Sequence, residues 1–424
     1  MNVRLGLLLL LATSSAWADW PEFRGPTANG LVPAAEAAKL PVKWSETENV
    51  AWKVELPGQG WATPVIQEGK VWIATAALDG TTFSVLALDE ATGKVHLEKR
   101  LATCDNPEPL ANKVNTYASC SPAAEKGRVY VHFGSYGTFC LDTTTFEVLW
   151  ERRDLTCSHW RGPGASPILW GDRLILSFDG ADQQYLVALD KATGKTLWRA
   201  DRTTDFADYD AKGRPSNSGD MRKGYSTPYL TDVAGTPTII SPGAKAAWAY
   251  DARTGAELWN LTYSTHSPSS RTVVSSKLGL AFINTGLGKA EIHAVKLNPP
   301  PTGTVSESQI AWKLLKRTPK MSSPVLVNDL LFMNADGISS CVDAATGEVL
   351  WSERTNGQTT ASLIATPDRV YVCDEDGKTA VFKASRTYEL LAENQLDSGL
   401  MSSPAASDGS LFLRTKTHLY RIGH

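Results

Sequence analysis

Leu189-Asp190-Lys191-Ala192-Thr193-Gly194-Lys195, with Trp198 four residues beyond its glycine, is the stretch on which the fold turns. Near-copies run from Leu88 to Lys94, Tyr250 to Ala256 and Val342 to Glu348, with a looser one from Leu141 to Glu147. Trp150, Trp259 and Trp351 hold the place of Trp198 in three of them. This is the chemistry of a tight β-turn. The Asp carboxylate accepts from backbone N–H groups two or three residues on, and Gly takes the left-handed conformation that closes a hairpin. The Trp then falls on the outgoing strand, where its ring fills the gap to the next sheet. A hairpin recurring roughly every 40 to 60 residues marks a repeat architecture, and that period suits propeller blades.

The phrase A-x-D-x-x-T-G-x-x-x-W resembles the repeat of quinoprotein-type (PQQ-like) β-propellers, over residues 43–424. That family includes PQQ-dependent alcohol dehydrogenases and the BamB scaffold of the outer-membrane barrel assembly machinery. The resemblance therefore implies a fold and leaves enzymes and binding scaffolds both open.

Two independent counts give the number of blades. A Ser/Thr-Pro pair opens the first strand at Thr63-Pro64, Ser121-Pro122, Ser166-Pro167, Thr227-Pro228, Ser323-Pro324 and Ser403-Pro404. Less regular openings at Ser270-Arg271-Thr272 and Ala361-Ser362-Leu363 bring the total to eight. Fourth strands centre on Trp52, Leu97, Trp150, Trp198, Trp259, Trp312, Trp351 and Leu391, which is eight again. The strand from Asn49 to Leu56 precedes any opening, and the last unit, Ser402 to His424, lacks a fourth strand. The expectation is an all-β, eight-bladed β-propeller of four-stranded antiparallel blades, its ring closed by the N-terminal strand so that no edge stays open. Unit five departs most, with Asn298 in place of the Asp and Pro299-Pro300-Pro301-Thr302-Gly303 lengthening its turn. One short helical turn is expected between Ala34 and Leu40.

Residues 1–18 read as a secretory signal peptide: Arg4, an apolar run from Leu5 to Ala12, and an A-x-A site at Ala16-Trp17-Ala18. Residues 19–42 form an N-terminal arm and 43–424 the propeller. No stretch is apolar enough to span a bilayer, and no Cys lies near the cleavage point, where BamB proteins carry a lipidated one. A periplasmic or secreted protein, monomeric, is expected. Its net charge of −3, from 42 basic and 45 acidic residues, gives no reason to expect nucleic acid or an anionic membrane as partner.

Six cysteines in an exported chain raise the question of disulfides. Cys140 and Cys341 stand two residues before a turn and read as core thiols. Cys104 and Cys157 follow the fourth strands of successive blades and are expected to pair. Cys104–Cys120 is the rival, and free thiols are the third reading.

The resemblance sets requirements for enzymatic chemistry. PQQ-dependent alcohol dehydrogenases carry a Ca²⁺ ion, a catalytic Asp and a disulfide between adjacent cysteines. This chain has no Cys-Cys pair, no C-x-x-C-H haem motif, and no Glu, Asn and Asp set that matches the calcium ligands. No catalytic residue, cofactor or metal is therefore expected; the fold would admit PQQ, but no ligand motif supports it. Asp208-Tyr209-Asp210-Ala211-Lys212-Gly213 puts Lys212 where a calcium loop needs oxygen. Asp374 to Gly377 and Asn334 to Gly337 read as hairpin turns, and the seven His show no zinc spacing. G-x-S-x-G and P-loop motifs are missing.

The informative polar residues lie in connections from fourth strand to first strand, around the channel mouth where propellers bind ligands. The candidate ligand- or partner-binding set is Tyr117, His159, Trp160, Arg161, Arg222, Tyr225, Arg271, Lys320 and Met321. Aromatics beside Arg and Lys suit an envelope protein, a small polar or anionic ligand, or a sugar stacked on a ring. The function expected is an exported, non-catalytic binding or scaffold propeller. The alternatives are a PQQ-dependent oxidoreductase and a carbohydrate-binding module. Asp19 to Pro26 is similar to the opening of a group of secreted bacterial PQQ-like repeat proteins, and Arg161 to Gly164 partly echoes it. It reads as a structural arm tucked under the propeller.

Overall fold

The computed structural model describes residues 19–111 and 114–423, so the signal-peptide segment lies outside the described residues. Eight antiparallel sheets form an eight-bladed β-propeller, seven of four strands and one of five. Blade 1 shows the plan: strands A to D are Val65–Gln67, Lys70–Ala76, Thr82–Asp89 and Val95–Thr103, paired in that order. Blade 8 joins both ends of the chain. Val50–Glu55 pairs antiparallel with His418–Ile422 and supplies the missing D strand. The fifth strand is Gly303–Thr304, which runs from the long turn of blade 5 to pair in parallel with Glu257–Thr262 of blade 4.

The repeated turn joins strands C and D, and its residue types have distinct jobs. Asp190 Oδ1 accepts from Thr193 N at 2.8 Å and Thr193 Oγ1 at 2.7 Å, and Asp89 does the same with Thr92. Gly194 holds φ +73°, and a Cβ there would lie 2.7 Å from the ring of Trp150 in the preceding blade. That Trp donates its indole N–H to Lys191 O of the same turn at 3.0 Å. Trp52, Trp198 and Trp312 repeat the bond to Glu90, Ala252 and Ala344 carbonyls. The D-strand Trp of one blade is thus seated on the turn glycine of the next. A ring of this size takes ~150–250 Å² out of water, about 4–6 kcal/mol gross at ~25 cal/mol per Å². Trp259 has no such seat, because blade 5 replaces the glycine turn with the proline insertion.

The Ser/Thr-Pro openings turn out to be a second inter-blade device. Thr63 N donates to Ser121 Oγ, Ser121 N to Ser166 Oγ, and Ser166 N to Thr227 Oγ1, each at 2.9 Å. Arg271 N then donates to Ser323 Oγ, Ser323 N to Ser362 Oγ, and Ser362 N to Ser403 Oγ, at 2.9–3.0 Å. Every blade but the fifth places a hydroxyl in this inner circle; blade 5 places Arg271.

Along each blade the chain alternates direction, so D-to-A and B-to-C connections share one face and A-to-B and C-to-D turns the other. The N-terminal arm sits at this second face and adds to the channel-facing edges of the A strands. Trp20 pairs with Ile66 of blade 1, Ala124 N of blade 2 donates to Pro21 O, and Leu31 bridges to Ala365 of blade 7. Arg24, 1% exposed, donates to Ser323 O and Pro324 O of blade 6. Arg271, 1% exposed, binds Glu22 Oε1 at 2.9 Å and Phe23 O at 2.6 Å. The arm then leaves over blades 7 and 8 through the short helix Ala34–Ala37, with Trp44 stacked on Tyr371.

All six cysteines are free thiols, so neither Cys104–Cys157 nor Cys104–Cys120 is formed in this structure. Cys157 turns inward, its Sγ 3.7 Å from His159 Nδ1. Cys104 packs instead at the rim of the core shared by blades 1 and 2. Cys140 and Cys341 are fully buried core residues. No helix among the described residues is long and apolar enough to cross a membrane.

Candidate functional site

The arm closes the channel at one face and leaves a cavity of about 250 Å³ opening towards the D-to-A loops. Its floor is Phe23 of the arm and the hydroxyl circle, of which Thr63, Ser121, Ser166, Thr227, Ser362 and Ser403 all line it. Trp61, Tyr225, Leu287, Met321 and Met401 form apolar walls. Arg161, Asp220, His266 and Asn115 supply the polar rim. Arg161 Nε and Nη2 bind both carboxylate oxygens of Asp220, each at 2.7 Å. The guanidinium hydrogen bonds hold the Asp220 carboxyl below its ordinary range, and Asp220 in turn raises Arg161. Burial lowers His266, so its imidazole is neutral at pH 7.

Of the nine residues singled out in the sequence, Arg161, Tyr225 and Met321 meet in this cavity. The other six do not line it. Tyr117 is a core residue, its hydroxyl donating to Glu108 O at 2.8 Å and its ring against Phe83 and Tyr136. His159 accepts from Ser135 N at 2.9 Å through Nε2, and burial pushes its imidazole down to about 3. Trp160 lies in a left-handed conformation with its carbonyl taken by Ala111 N. Arg222 is paired with Asp208 and lies over Tyr209, which holds the long 203–224 insert together. Arg271 is sealed beneath the floor by Glu22. Lys320 points outward to Asp336 at 2.9 Å. Sequence position alone put all nine on mouth loops; their inward or outward direction is set by tertiary partners it did not show.

Asp220, Trp61, Met401 and Phe23 were missed. Asp220 sits in the irregular insert, where no period assigns a direction. Phe23 belongs to an arm whose place in the channel depends on Arg271 of blade 5 and on its own Arg24, which reaches the carbonyls of blade 6. Behind Tyr225, Lys223 is fully buried with its ammonium 5.1 Å from the ring, and burial lowers it to about 8.

The cavity carries no arrangement that fits a quinone–calcium pair. Its one carboxylate is tied to Arg161, no cysteine lines it, and no three His, Cys, Asp or Glu side chains cluster as metal ligands among the described residues. The Asp208–Gly213 loop spends Asp210 on Lys212 N and Arg214 N.

Among solved structures, the chain is similar to BamB from Moraxella catarrhalis, at 12% identity and TM-score 0.58, covering 88% of this chain and 99% of that one. It is similar also to the quinohemoprotein alcohol dehydrogenase from Comamonas testosteroni, at 14% identity and TM-score 0.62, covering 96% and 81%. The computationally designed Ika8 protein aligns at 13% identity and TM-score 0.56, covering 90% and 99%. These likenesses show the propeller fold and nothing finer. No curated protein matches the chain. The sequence itself matches the family described as outer membrane protein assembly factor BamB over residues 45–220, 171–299 and 249–404. With those segments spanning nearly all of the propeller and the repeat seated as described, the chain belongs to that family.

Proposed function

We propose that this chain is an exported, non-catalytic binding propeller that engages a small polar ligand or an envelope-protein loop in the blind cavity at its channel mouth. The observation that carries the reading is the closure of the channel by the chain's own arm. A through-channel would let solvent and solutes pass; a floored one offers a single concave site, where propellers usually bind. Arg161 and Asp220 satisfy each other, and His266 Nδ1 meets the hydroxyl of its sequence neighbour Ser267 at 2.9 Å, with no Cys or Lys in the lining. The polar rim and apolar walls are the composition of a recognition site rather than of acid–base chemistry. Export rests on the signal-like residues 1–18, and a periplasmic or secreted location follows from them.

A second reading, a PQQ-dependent oxidoreductase, draws its support from the fold likeness to quinohemoprotein alcohol dehydrogenases, and the cavity's donor set does not fit it. The binding reading is tested by photo-crosslinking in the exporting cell. A benzophenone side chain in place of Met321, at the mouth, is expected to form a discrete adduct; the same group in place of exposed Leu197, on an outer strand, is not. Adducts from position 197 alone, or none from either, would overturn the reading.

A further inference from the structure

We infer that the cavity takes one uncharged, polyhydroxylated ring, a neutral sugar residue, with its oxygens on the hydroxyl circle and its carbon faces against the aromatic walls. The inference rests on the cavity being the binding site and names what it binds.

The hydroxyl circle has a hydrogen-bonding polarity. Ser121, Ser166, Thr227 and Ser403 each accept a backbone N–H from the neighbouring blade. None of their hydroxyl hydrogens has an acceptor among the described residues, although all four line the floor. Only Ser362 spends its own, donating to Ser323 Oγ at 3.0 Å. The free O–H groups come from blades 2, 3, 4 and 8, so they converge on the channel axis from different directions. A ligand that displaces water from them must bring several acceptor oxygens spread around a ring, because an unpaired buried donor costs ~1–3 kcal/mol.

Charge narrows the class. Arg161 and Asp220 are the only formal charges in the lining, where they cancel in one bidentate pair; the ammonium of Lys223 stands behind Tyr225, outside the lining. The neutral His266 adds none. A carboxylate ligand would have to draw Arg161 from Asp220 or lie beside an uncompensated Asp220, and a cation would leave Arg161 unpaired, so the site selects a neutral solute. What the pair still offers suits hydroxyls. Arg161 Nη1 has no partner among the described residues, and the Asp220 oxygens each keep an accepting site.

Walls and size agree. Trp61 holds its indole N–H on Val114 O at 3.0 Å and presents its ring as a fixed wall, with Tyr225 and Phe23 as further apolar surface. A pyranose, with C–H faces and a hydroxyl perimeter, matches apolar walls over a polar floor. The volume is below the ~300–1,000 Å³ of pockets for drug-sized ligands, so one ring enters and any further residues stay outside.

Saturation-transfer NMR titrations of the purified mature protein test this, with methyl glucoside, methyl galactoside and methyl mannoside as neutral probes and glucuronate and succinate as anionic ones. At least one neutral glycoside is expected to bind saturably, and glucuronate at least about tenfold more weakly. Ser403→Ala should weaken glycoside binding about fivefold or more, but it also removes an inter-blade bond. Met401→Trp fills the cavity without touching the circle and should abolish binding with melting unchanged. Anions that bind as tightly as glycosides would overturn the inference, as would the lack of any glycoside signal that Met401→Trp removes. If mouth adducts at position 321 persist in that second case, the binding-propeller reading survives and only the ligand class falls.

Discussion

Gly194 and Trp150 show how much a single pair can carry. The glycine is needed twice, for its left-handed φ and for the 2.7 Å approach of the Trp ring. Gly171, at φ +56° with nothing within 4 Å, separates the two demands. Gly171→Ala should cost ~1–2 kcal/mol for left-handed backbone alone, whereas Gly194→Ala should cost ~2–5 kcal/mol, because overpacking adds ~1–3. Urea midpoints of the two variants check the difference; equal shifts would refute the seating of the Trp. The Asp-x-x-Thr-Gly phrase made this turn readable from sequence, because Asp, Thr and Gly act within the turn itself. The second role of the glycine lies in the next blade and could be expected only once a propeller was assumed.

Glu90 makes a pH prediction at the same scale. Its side chain is wholly buried, with Oε1 receiving Ser407 Oγ at 2.5 Å, and burial pushes its carboxyl up to about 7. The folded state therefore holds this proton more tightly than the unfolded chain, whose Glu titrates near 4.5. The associated stability is fully present below the unfolded value and is lost as pH rises through about 7. Glu90→Gln should remove this component, so the variant's melting temperature should fall less than the parent's between pH 5 and pH 8. Parallel pH profiles for the two proteins would contradict it.

At the scale of elements, the strand Val50–Glu55 and the arm hold the ring closed by different means. The strand completes blade 8, and its Trp52 is seated on the turn of blade 1. Deleting residues 43–56 opens that blade, exposes its edge and the flank of blade 1, and should lower the melting temperature of the whole ring. A deletion variant that melts like the parent would refute closure. The arm is held by the pairing of buried Arg271 with half-buried Glu22. Arg271→Met leaves the half-buried Glu22 without its cation, at ~1–3 kcal/mol; this should loosen the arm rather than the blades, and residues 19–32 should become sensitive to limited proteolysis. Adding Glu22→Gln should restore part of the protection.

Blade count, closing strand and the odd fifth unit were all legible, because each is written in local punctuation. The Ser/Thr-Pro marks were legible only as punctuation. Their hydroxyls bond the backbone of the neighbouring blade, a contact between residues some 40 to 60 apart that no local pattern encodes. The site was legible as a face but not as a cavity. Loop residues choose their direction through partners such as Asp208 for Arg222 and Glu22 for Arg271, and these come from irregular segments.

As a whole molecule, the chain is a ring closed by its own N-terminal strand and a channel stopped by its own N-terminal arm, with a concave site at the channel mouth. The central claim is that this site binds and does not turn over substrate. A dye-linked assay of the purified protein, supplied with PQQ and Ca²⁺ over a panel of primary alcohols, aldehydes and aldoses, tests it most directly. The account predicts no dye reduction above the protein-free control; turnover that depends on both PQQ and calcium would contradict it.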